Sequence, residues 1–71
     1  MRFGEAIKQL REHNGLSQAA WAEKIGVSVA TAHNWEHRTE PPNSLAWHTL
    51  TEKLKQNRAD VPKELRGTLL G

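Results

Sequence analysis

His33-Asn34-Trp35-Glu36-His37 sets two imidazoles one helical turn apart beside a carboxylate, the H-x-x-E-H spacing of an inverted zinc-peptidase signature. A catalytic zinc needs three protein ligands and an open fourth position. No third ligand stands out elsewhere in the chain. Its 71 residues suffice for one domain that buries about 60% of the surface its unfolded chain exposes, leaving little room for a deep cleft. The expectation is therefore no enzymatic activity, no metal and no cofactor, with the five residues serving a different purpose.

Composition narrows that purpose. Ten Lys/Arg against eight Asp/Glu give a net charge of +2, a mild basic bias compatible with nucleic acid but far short of a polybasic arm. Cysteine is absent, so neither disulfides nor thiolate ligands support the fold, and a reducing cytoplasm is the simpler expectation. Met1-Arg2-Phe3-Gly4-Glu5 lacks the apolar stretch of a signal peptide, and no segment approaches membrane-spanning length.

The residues of interest must be positioned by helices. Apolar residues fall three or four apart throughout, and no β-branched stretch alternates apolar with polar, so the spacing predicts an all-α bundle of about five short helices. Phe3, Ala6, Ile7 and Leu10 line a first helix ending at Asn14-Gly15. Ser17 caps a second, Gln18 to Ile25, with Trp21, Ala22 and Ile25 inward; Gly26 ends it. Ser28 caps a third, from Val29 to about His37, with Ala32 and Trp35 inward. Two capped helices joined around a glycine make a helix-turn-helix. Pro41-Pro42 stops the third helix, and Asn43-Ser44 can cap a fourth from Leu45 to about Lys55, with Trp47, Leu50 and Leu54 inward and Ala46 beside them. After a solvated connection from Gln56 to Ala59, Asp60 is the expected cap of a last helix, with Pro62 in its first turn and Val61, Leu65 and Leu69 on one face. The whole chain, 1–71, reads as one domain.

In a helix-turn-helix the second helix of the pair reads base edges in the major groove with its N-terminal residues. The outward positions are Val29, Ala30, His33 and Asn34. The Asn34 amide matches the adenine N6/N7 edge, Val29 and Ala30 suit a thymine methyl, and His33 can donate to guanine or phosphate. Gln18 and Ser28, at helix N-termini where backbone N–H groups attract anions, are candidate phosphate contacts, as are Thr31, His37, Arg38 and Thr39. On a generic helix His33 and Asn34 would read as solvated surface residues; their place in the motif favours contact with DNA. Trp21, Trp35 and Trp47 are expected in the core rather than as stacking platforms for single strands. Lys8, Lys24, Lys53 and Lys55 are read as solvated charges, Lys24 with a possible approach to phosphate. His13 and His48 carry no functional expectation.

The run GLSQAAWAEKIGVSVATAHNWE, with IKQLRE upstream and the double proline downstream, resembles the Cro and lambda-repressor type of helix-turn-helix regulators, the Xre family, over about residues 4 to 54. The resemblance implies a transcriptional regulator binding a double-stranded DNA operator with an inverted repeat as a homodimer, and a structural ion pair between Arg11 and Glu36. Similarity to small members of the family implies an autoregulating repressor of phage or mobile-element type, such as a regulator of an anti-CRISPR operon, controlled by its own concentration since the 71 residues carry no sensor domain. Alternatives are an antitoxin paired with a toxin, or an interaction module that kept the fold without DNA binding. Where most relatives place glycine two residues after the glutamate, this chain has Arg38. Either Arg38 accepts a positive φ, at a cost of roughly 1 kcal/mol, or the turn differs. Leu65, Leu69 and Leu70 look like more apolar surface than four helices can cover, so residues 58–71 are expected to contribute to a dimer interface.

Overall fold

The computed structural model describes residues 1–71 as five α-helices and a single 3-10 turn. They are α1 (Phe3–His13), α2 (Gln18–Ile25), α3 (Val29–Glu36), α4 (Leu45–Gln56) and α5 (Lys63–Leu70), with the turn at Arg58–Asp60 before α5. Three serine hydroxyls start helices: Ser17 accepts from the Ala20 N–H, Ser28 from Thr31 and Ser44 from Trp47. Each satisfies a backbone donor that the first turn would otherwise leave orphaned. Gly26, at φ 79°, ends α2 in the left-handed conformation, and the next two residues lead directly into α3.

Four aromatic rings tie the helices together. Phe3 of α1 meets Trp47 of α4 edge to face at 4.8 Å, Trp47 meets Trp35 of α3 at 5.8 Å, and Trp35 meets Trp21 of α2 at 6.5 Å. These spacings and near-perpendicular planes are the favourable geometry for aromatic pairs. Ala6, Ile7, Leu10, Ala22 and Ala32 fill the space around them. All three tryptophans are core residues, at most 6% exposed, and offer no stacking platform.

α1 has no side-chain N-cap. Its first donors instead meet the loop that follows α3: Phe3 N–H donates to Thr39 O at 3.2 Å and Gly4 N–H to Arg38 O at 2.8 Å. This approach requires glycine, since a Cβ at position 4 would lie 2.8 Å from the Arg38 carbonyl oxygen and closer still to that of Glu36. The chain leaves α3 through His37 at φ −102°, ψ 4°, and no non-glycine residue has a positive φ. Arg38 therefore bears no left-handed strain, and the turn takes its own path.

Three expectations need correction. Ala46 is exposed, as is Leu45 at 82%, because the inner stripe of α4 begins only at Trp47. Asp60 does not cap α5; it closes the 3-10 turn, and Pro62 occupies the cap position without a side-chain bond. The leucines of α5 are not surplus: Leu65 and Leu69 are 1% and 3% exposed, and Leu70 is partly buried against the same core, because α5 packs on α1 and α4 of its own chain. These three leucines therefore belong to the core of their own chain.

Truncation after Asn57 removes Val61, Leu65 and Leu69 from a core of 13 residues. At roughly 1.5–3 kcal/mol per buried side chain, that loss rivals the about 4–11 kcal/mol expected for a domain of this size. The truncated chain should lose its cooperative thermal transition in circular dichroism. Gly4→Ala should also destabilise, by about 1–3 kcal/mol, because the added methyl meets backbone rather than flexible side chain. A denaturant midpoint equal to that of the parent would contradict the close approach.

Candidate nucleic-acid interface

α3 has two unlike faces. Ala32 and Trp35 are buried against α1 and α2, while Val29, Ala30, His33 and Asn34 are exposed. Val29, half exposed at 50%, is one of few large apolar residues left in water. The chain's own hydrogen bonds engage neither the Asn34 amide nor the His33 imidazole. Their donors and acceptors are free for an external partner.

Glu36, the only acid of α3, turns away from this face. Arg11 Nε donates to Glu36 Oε2 at 2.8 Å and Arg11 Nη2 to Glu36 Oε1 at 3.1 Å, a bidentate pair, while Arg11 Nη1 donates to Leu16 O at 3.0 Å. The side chains are only 14% and 6% exposed, so the pair is shielded from solvent competition. The hydrogen bond to Glu36, working against burial, raises the Arg11 pKa. A folded-state pKa above the unfolded one stabilises at all pH below the unfolded value, so this contribution is fully present at neutral pH and is lost only in strong alkali. With both carboxylate oxygens engaged by arginine, Glu36 is not offered to a metal beside His33 and His37. Those two imidazoles do lie close, with ring centroids 4.4 Å apart.

The candidate phosphate contacts surround this face. Gln18 is the first residue of α2, half-buried, with its side-chain amide free of intramolecular hydrogen bonds. Ser28 is the N-cap of α3; its hydroxyl also donates to Thr31 Oγ1 at 2.9 Å. The Thr31 hydroxyl, an acceptor in this bond, donates to no group of the chain. His37, Arg38 and Thr39 are exposed just beyond the other end of α3. Arg38 Nε donates to Glu40 O at 3.0 Å, which leaves its terminal nitrogens free. Gly4 is the residue the sequence did not single out: it allows α1 to seat the end of α3. Its isolated position near a helix start carried no local signal, since its requirement comes from a segment over thirty residues away.

A family profile described as a helix-turn-helix domain matches residues 2–63. No curated protein matches the chain, and neither does any solved structure. No helix is long and apolar enough to cross a membrane.

Glu36→Gln should cost about 1–2 kcal/mol of stability, because it leaves the partly buried Arg11 guanidinium without its counter-charge while the amide oxygen can still accept one of its hydrogen bonds. In a double-mutant cycle of Arg11→Met and Glu36→Leu read by urea denaturation, the double variant should be less destabilised than the sum of its two singles. Additive single effects would contradict direct coupling.

Proposed function

The chain belongs to the helix-turn-helix family, and from that premise we propose that it is a sequence-specific regulator that binds double-stranded DNA with α3 in the major groove. The observation that carries this function is the outer face of α3: Asn34 and His33 exposed and unengaged, Val29 and Ala30 beside them, and the one acid of the helix withdrawn into an ion pair. Asn34 is suited to adenine, the small apolar side chains to thymine methyls, and His33 to guanine or phosphate. The N-terminal turns of α2 and α3, with the partly exposed Gln18 and Thr31 and the exposed Ser28, supply donors for one phosphate flank. His37, Arg38 and Thr39 supply the other.

The regulator acts as a homodimer on an inverted repeat. The molecule measures 26 × 25 × 21 Å, whereas successive major grooves on one side of the duplex are about 34 Å apart. One copy presents one recognition helix, so two half-sites require two copies. The bidentate Arg11–Glu36 pair supports placing the chain with the Cro and lambda-repressor type, and repression of its own promoter in the cytoplasm is the simplest use of such a domain. No catalytic step and no cofactor is involved.

The test is binding of the intact protein to the DNA upstream of its own gene, read by footprinting and fluorescence anisotropy. Symmetric protection is expected, with affinity falling steeply as salt rises through counterion release. Asn34→Ala should weaken specific binding by about 1–3 kcal/mol while leaving random-duplex binding nearly unchanged, whereas Gln18→Ala should weaken both. Affinity for that promoter no greater than for random duplex at physiological salt would overturn the assignment in favour of an interaction module.

A further inference from the structure

α2 packs on α3, and α4 packs on α5 and the 3-10 turn. Between them, beside the C-terminal end of α1, lies a groove of about 370 Å³. Its apolar lining comes from Leu10, Trp21, Ile25, Leu50 and Leu54. Ile25 and Leu54 remain only half-buried, so the core does not close over this gap. The volume falls in the range of small-molecule sites, about 300–1,000 Å³.

The rim is charged in a particular way. Lys24 of α2 and Lys53 of α4 both border the groove. The chain's two side-chain ion pairs, Arg11–Glu36 and Lys55–Glu52, use neither of them. Asn14 and Asn57 also border it, each with its amide N–H₂ already donating to a helix carbonyl, at 2.8 Å to Leu10 O and 3.0 Å to Lys53 O. Their amide oxygens are left as acceptors. Asp60 is the one acid on the rim. Two ammonium groups on separate helices, neither in an ion pair and outnumbering the single rim carboxylate, stand above an aromatic and aliphatic floor and are complementary to a ligand with an apolar body and one anionic group.

We propose that the groove between α2 and α4 is a binding site for a small amphipathic anion, an aromatic or medium-chain aliphatic carboxylate or sulfonate, with Lys24 and Lys53 holding its charge and Trp21 and Leu50 its body. The site lies apart from the outer face of α3 and does not depend on DNA binding. An acidic amphipathic peptide shares the charge pattern, but a space of about 370 Å³ is closer to a single small molecule than to a helix, whose diameter with side chains is about 10–12 Å.

The probe is naphthalenesulfonate, titrated into the full chain in the absence of DNA and followed by calorimetry and by the NMR signal of the Trp21 indole N–H. Saturable one-to-one binding that shifts Trp21 is expected, with the neutral naphthalenesulfonamide binding more weakly. Lys24→Ala combined with Lys53→Ala should weaken the sulfonate by about fivefold, from two partly exposed charge contacts, and Asp60→Asn should tighten it. Opposite signs in these variants separate a charged site from a change in overall stability, which thermal melting of each variant monitors. No saturable binding, or binding unchanged by the lysine variant, would overturn the proposal, as would engagement of an acidic helical peptide at Trp21 with no response to the sulfonate.

Discussion

Everything on the outer face of α3 depends on how the end of that helix is clamped to α1. The clamp has two parts. The Arg11 guanidinium holds both oxygens of Glu36, and the Phe3 and Gly4 N–H groups meet the carbonyls just beyond the helix. The first removes the only negative side chain of α3 from the exposed face. The second satisfies donors of α1 that have no side-chain cap and brings the backbones so close that only glycine fits at position 4. Together they fix the rotation of α3, which decides that Asn34 faces water while Trp35, its neighbour, faces the core.

The rest of the core extends that constraint. Phe3, Trp47, Trp35 and Trp21 form a continuous line of edge-to-face contacts through α1, α4, α3 and α2. A small domain has few side chains with which to bury area, and large rings contribute the most per residue. Val61, just before α5, and Leu65 and Leu69 of α5 complete the core where α5 packs on α1 and α4. What stays open is the space between α2 and α4, where Ile25 and Leu54 are covered on one side only.

Much of this was legible in the sequence. Ser17, Ser28 and Ser44 marked three helix starts, and Gly15 and Gly26 marked two ends, each at positive φ. The inward positions of α1, α2 and α3 followed from a period of 3.6 residues. The start of α5 differs from the sequence expectation: Asp60 has the side chain of a cap, but it closes the 3-10 turn two residues early and Pro62 takes the cap position. The exit from α3 also resisted prediction. Arg38 could signal either backbone strain or a different path, and the absence of any positive φ outside glycine, with the hydrogen bonds of the loop to α1, decides for the latter.

The division between the two sources is physical. Helix spans, caps and the helix-turn-helix spacing are local, set by residues within one or two turns of each other, and the chain by itself determines them. The outward set Val29, Ala30, His33 and Asn34 was likewise legible, because burying Ala32 and Trp35 leaves the opposite side of a helix exposed. The need for glycine at position 4, the fate of the α5 leucines and the groove between α2 and α4 depend on contacts between segments far apart in the chain. Such contacts have no period or neighbouring partner that could announce them, so only the packed tertiary structure decided them.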